Sequence, residues 1–153
     1  TPQDWVVLEL SSFQLEGMRC SPHVAAILNI TPNHLVRHPS MEHYAEAKRN
    51  IIRYQGTDDW AVLGYANDIT REYGRTVVAR RLYFGVDPVE GEGAFTADGA
   101  VWLRLGGETR QVMPLSEVQL RGRHNLENAA AATLVALELG LELAAAQAMK
   151  ASA

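Results

Sequence analysis

One cysteine, Cys20, is all that the 153 residues carry. No disulfide can form within the chain, so a disulfide-built secreted scaffold is excluded and a reducing compartment is the expected home. Long apolar runs are missing as well. None approaches the ~18 residues that a membrane-spanning helix needs. The first residues, Thr1-Pro2-Gln3-Asp4, lack the charged-then-apolar form of a signal peptide, and a cytoplasmic protein is the expectation. Positive charge is in the minority: 14 Lys and Arg stand against 18 Asp and Glu, for a net charge of -4. No broad basic face invites nucleic acid or an anionic membrane, although a local anion site stays open. The phosphate-loop pattern Gly-x-x-x-x-Gly-Lys-[Ser/Thr] is also absent.

What remains is a chain of one-domain length with 47% hydrophobic residues, enough for a core. Trp5-Val6-Val7-Leu8 rises into Glu9 and a Ser11-Ser12 turn. A short apolar run bounded by turn residues reads as a buried strand. Its polar end would then lie at the carboxyl edge of a sheet, where open α/β sheets place their ligands. A carboxylate there can hold a metal ion or a phosphate-bound cation, or simply cap a turn or meet an arginine. Val24–Ile30 reads as a second such strand, and Trp60–Gly64 as a third. Thr76–Ala79 with Leu82–Gly85 gives a fourth, bent strand. Residues 14–18 form a short helical or irregular piece, and residues 31–39, with Pro32 and Pro39, form a loop. Ser40 caps a helix to about Tyr54, with Gly56 as its left-handed stop, and a shorter helix from Asp68 stops at Gly74. Strands alternating with helices mean α/β, with a mostly parallel, Rossmann-like sheet flanked by helices. From residue 91 to 114 the pattern changes. Asp98-Gly99 and Gly106-Gly107 read as hairpin turns of an antiparallel meander at one edge. An Ala-rich helix then opens near Asn125 and runs to Leu139.

Two helices carry residues that packing alone does not explain. Met41, Tyr44, Ala45, Ile51 and Ile52 share one face of their helix, and Lys48 falls on it too. Lys48 is either a snorkelling lysine with its stem on the core edge, or a partly desolvated amine whose pKa is lowered. His124, Asn125 and Asn128 crowd the start of the Ala-rich helix, beside Arg121 and Arg123. A helix start with free N–H groups suits an anion or nucleotide. An N-cap role would account for Asn125 but not for Asn128.

Four stretches together resemble one family. They are Glu9-Leu10-Ser11-Ser12-Phe13-Gln14-Leu15, Asn29-Ile30-Thr31-Pro32-Asn33-His34, Tyr44-Ala45-Glu46-Ala47-Lys48 and Gly122-Arg123-His124-Asn125-Leu126-Glu127-Asn128. In this order they resemble the Mur ligases, ATP-dependent amide ligases of peptidoglycan precursor synthesis. The first motif is most similar to the branch that adds D-glutamate to UDP-N-acetylmuramoyl-L-alanine. The branch that adds a diamino acid is the near alternative. The resemblance implies that Glu9 and His34 bind Mg2+. It implies that Lys48 becomes an N-carboxylated carbamate that helps hold a second Mg2+, so that Lys48 and His34 stand at the catalytic centre. Asn125 and Asn128, with His124 beside them, would contact ATP at its adenine ring. Ser12 would contact the muramoyl substrate. The implied chemistry is activation of a carboxylate as an acyl phosphate, followed by attack of the amino-acid amine.

Two positions depart from the family. Acids usual beside and two residues after the histidine are here Asn33 and Val36. The resemblance also implies that the chain is most of a central ATPase domain. Its phosphate loop, a uridine-nucleotide domain and an amino-acid-binding domain would lie outside it. The 153 residues alone are then expected to make no amide bond, and to dimerise through apolar surface left uncovered. A degenerate Mur-like domain that binds nucleotide or a partner without catalysis is the competing reading. A metal phosphohydrolase using Glu9 and His34 is a third, and it leaves Lys48, Asn125 and Asn128 without a role.

Overall fold

The computed structural model describes residues 4–32, 38–118 and 122–138. One six-stranded sheet runs in the order β1 (Val24–Ile27), β2 (Trp60–Gly64), β3 (Arg80–Gly85), β4 (Gly93–Ala97), β5 (Ala100–Leu105) and β6 (Glu108–Pro114). β1 to β4 are parallel, and β4 to β6 form the antiparallel meander. Around the sheet stand α1 (Ser12–Glu16), α2 (Met41–Arg53), α3 (Asp68–Thr76) and α4 (Arg123–Glu138).

Continuous apolar runs place this sheet between two helical layers. Ala61, Leu63 and Tyr83 join Tyr44, Ala45 and Ile52 of α2 and Tyr73 of α3 on one face. The alternate residues Val62, Leu82 and Phe84 meet Ala130, Ala131 and Leu134 of α4 on the other. Strands apolar on both faces need this double cover. The layers are also tied by polar contacts. The Tyr73 hydroxyl donates to the Ala45 carbonyl at 2.8 Å, joining α3 to α2. Asn67 caps α3 by accepting from the Thr70 N–H, and its amide donates to the Ile30 carbonyl at 2.9 Å.

Close backbone approach fixes the step from β3 to β4. Parallel strands usually need a crossover of about a dozen residues or more. Here residues 86–92 suffice, because the ladder spans only Tyr83↔Gly93 to Gly85↔Phe95. A Cβ on Gly93 would stand 1.8 Å from the Tyr83 carbonyl oxygen, so only glycine fits.

Several sequence expectations are corrected. Trp5–Leu8 is not a strand: it lies outside the sheet, with these four side chains 52–84% exposed. An apolar run records a tendency to be covered, and no described element covers this one. The strand expected over residues 24–30 ends at Ile27. Gly56 is no left-handed stop. α2 closes at Tyr54, and the Gly56 N–H donates to the Asp59 carboxylate at 2.7 Å in the turn leading to β2. Gly74 lies inside α3, where a Cβ would meet the Tyr83 hydroxyl at 2.3 Å; it is kept small for packing, not for stopping the helix. α3 therefore runs on to Thr76, and residues 76–79 contribute no strand.

Candidate functional site

The carboxyl ends of the parallel strands open onto a cavity of about 200 Å³. Asn29 follows β1, and Tyr65 and Asn67 follow β2; Arg123 and His124 come from the first turn of α4. Gly64 allows the walls to close: a Cβ there would meet the Leu28 carbonyl oxygen at 2.2 Å. Arg123 is held at the rim by Asp87 at 3.0 Å, with Glu127 3.9 Å from its Nε. The cavity thus combines the end of a parallel sheet, a helix start and a cation, the usual ingredients of an anion or nucleotide site.

α4 begins at Arg123, preceded by Gly122 at φ +107. Asn125 is therefore its third residue and not its cap, and its N–H donates to the Gly122 carbonyl at 3.1 Å. Asn125 is half-buried and Asn128 exposed. Of the expected nucleotide contacts, His124 lines the cavity; Asn125 and Asn128 sit on the same helix outside its lining.

A second group forms where α1 meets α2. Ser11 and Gln14 cap α1 reciprocally, which fixes Ser12 as the first helical residue. Lys48 is half-buried on α2, with its Nζ 5.5 Å from the centre of the Tyr44 ring. Burial pushes its amine below the usual lysine range, and the nearby Glu9 carboxylate offsets part of that fall. Lys48 is thus a partly desolvated amine within electrostatic reach of an acid. Glu9 itself is exposed.

Ser12 is buried, and its Oγ lies 2.9 Å from His38 Nε2. His38 Nδ1 lies 3.1 Å from His43 Nδ1, and His43 Nε2 lies 3.3 Å from Glu16 Oε1. Phe13 stacks on the His38 ring at 4.9 Å and 7°. Asn50 ties the two helices by donating to the Leu15 carbonyl at 3.0 Å. Sequence reasoning passed over His38, His43 and Asn67. The two histidines bracket the capping Ser40, a local signal, but Ser12 is 26 residues away. His34, with Asn33 and Val36, lies outside the described residues. Among the described residues, no three His, Cys, Asp or Glu side chains gather as a metal cage.

A family model described as the Mur ligase middle domain matches residues 2–136. The UDP-N-acetylmuramoylalanine–D-glutamate ligase of Alkaliphilus oremlandii (strain OhILAs) is 41% identical over 144 residues, covering 94% of this chain and 32% of that protein. The enzyme of the same name from Acetivibrio thermocellus is 44% identical over 135 residues, covering 88% of this chain and 29% of its own length. The chain therefore spans about a third of the length of these curated relatives. Among solved structures, MurF from Acinetobacter baumannii superposes with a TM-score of 0.61 at 28% identity, over 82% of this chain and 27% of that one. A pseudomurein peptide ligase type C from Methanothermus fervidus, at 18% identity and a TM-score of 0.56, shares the fold over 78% of this chain and 32% of its own.

Proposed function

The chain belongs to the Mur ligase family, matching its middle domain, and from that premise we propose that it is the ATP-handling domain of a ligase that adds D-glutamate to UDP-N-acetylmuramoyl-L-alanine. The single observation that carries this reading is Lys48, an amine partly stripped of water on α2, with the Glu9 carboxylate within electrostatic reach. Carbamate formation needs a neutral amine, and burial favours that form. The amine attacks CO2, a C–N bond forms, and the proton leaves to water. The product is an anion of two hard oxygens within electrostatic reach of the Glu9 carboxylate. That donor chemistry fits magnesium, which takes one or two carboxylates plus substrate phosphates. His34 would complete the set. Magnesium, when bound, neutralises charge on ATP and on the developing acyl phosphate.

The chain's own residues position and exclude. Arg123, His124 and the start of α4 face the strand ends, where they would hold the nucleotide, with Asn125 and Asn128 at its base. Ser12 would contact the muramoyl substrate. Positioning and electrostatics supply most of the rate in such phosphoryl chemistry. The carboxylate of the substrate attacks the γ-phosphate, ADP leaves, and the amine of D-glutamate displaces phosphate. The phosphate loop and the flanking domains belong to the longer protein in this reading, and the 153 residues alone form no amide bond.

Asn33 and Val36 favour a second reading, a domain that keeps the nucleotide and has lost the chemistry. The unmutated protein and one variant together separate the two. Lys48→Ala in the protein that carries this domain should lower kcat/KM by about 100-fold or more, with nucleotide binding retained. An unchanged rate returns Lys48 to a packing role. Absence of any amide formation by the unmutated protein, with nucleotide still bound, supports the second reading.

A further inference from the structure

Three side chains that the proposed reaction leaves unused run in line from Ser12 to the surface: His38, His43 and Glu16. His38 is 2% exposed, while the Glu16 side chain is 49% exposed. The polarity of this line is set from its outer end. Two Nδ1 atoms 3.1 Å apart must be one donor and one acceptor. With both rings neutral, a carboxylate 3.3 Å from His43 Nε2 requires the proton on that nitrogen, because a lone pair there would face a negative charge. His43 Nδ1 is then bare and accepts from His38 Nδ1–H. His38 Nε2 is bare in turn and accepts from the Ser12 hydroxyl. The reverse polarity would point a bare His43 nitrogen at Glu16.

We propose that His38 is a positioning residue that accepts the hydrogen bond of the Ser12 hydroxyl, so that Ser12 meets its ligand as a hydrogen-bond acceptor for an N–H or O–H group. The ring is held for this task. Phe13 stacks flat on it, Tyr44 packs against it at 5.3 Å, and the Ser11–Gln14 box fixes the start of α1. A serine free to rotate could donate or accept; this one has its proton committed inward. The identity of the ligand, a donor group on the muramoyl substrate, rests on the reading above. The polarity of the line does not.

The test is nitrogen-15 NMR of the histidine rings in the whole chain, at a pH above the histidine range. His38 should show a protonated Nδ1 and a bare Nε2, and His43 the reverse. A proton on His38 Nε2 overturns the proposal, and the unmutated chain decides this whether or not any variant folds. Glu16→Gln and His43→Phe should each free His38 to exchange between tautomers, while amide spectra remote from α1 stay as they were. An unchanged His38 signature in both would show that the outer residues do not set it. In the ligase, Glu16→Gln should raise KM for the muramoyl substrate roughly three- to tenfold, the scale of one weakened hydrogen bond, and leave KM for ATP alone. An unmoved KM alongside the expected ring signatures removes the ligand assignment and leaves the polarity standing.

Discussion

Tyr73→Phe should weaken the domain near neutral pH and strengthen it at high pH, relative to the unmutated chain. The hydroxyl is buried and donates to Ala45. That carbonyl sits inside α2 and keeps its helical partner, so losing the bond costs about 1 kcal/mol. Burial pushes the phenol from 10.0 to about 12, and Glu46 adds to the rise. Above pH 10 the unfolded chain sheds this proton first, so the folded chain holds a proton the unfolded one has lost. Stability then falls as pH rises, until the folded group ionises too near pH 12. A rise of two pKa units is worth about 2.7 kcal/mol, at about 1.36 kcal/mol for each. Subtracting the lost bond, Phe is favoured by about 2 kcal/mol at the top of the range, and the two stability curves cross at roughly pH 11. Urea unfolding of both chains across this range measures it, since every other titrating group is common to both. Parallel curves with no crossing would show that Tyr73 is not buried as described.

Lys48→Met should raise the urea midpoint of the chain at neutral pH. The folded state holds an ammonium that burial disfavours, so the penalty is present below the lowered pKa and fades as pH rises through it. A lower midpoint would show that the amine bonds more than it loses. Gly93→Ala should cost more than ~3 kcal/mol, because its Cβ meets backbone at 1.8 Å. Gly99→Ala, with open space around it at φ +72, should cost only ~1–2 kcal/mol in the same assay. Equal costs would refute the close approach of β3 and β4.

Where one local rule decided the outcome, the sequence was a good guide. Ser40 caps α2 with its Oγ accepting from the His43 N–H, as a serine before an apolar-periodic stretch should. The two hairpins form at the expected dipeptides, and Asp98, Gly99, Gly106 and Gly107 all take the positive φ that such turns need. Lys48 stood out because its position on a helix face contradicted its chemistry, and burial does lower its pKa.

What escaped was set by distant partners. Gly74 looked like a stop and is a gap made for the Tyr83 hydroxyl, which no local pattern records. Trp5–Leu8 carries the pattern of a strand without a neighbour to pair with among the described residues. The Ser12–His38–His43–Glu16 line is built from α1, the first turn of α2 and the bend that precedes it, and only their contact makes it visible.

The most direct test of the account uses the purified protein that carries this domain, with ATP, Mg2+ and UDP-N-acetylmuramoyl-L-alanine. Phosphate release and a new amide product are followed with D-glutamate or with a diamino acid as the incoming amine. The account predicts release and product with D-glutamate, both absent without it. No product with D-glutamate, or product with the diamino acid alone, would contradict it.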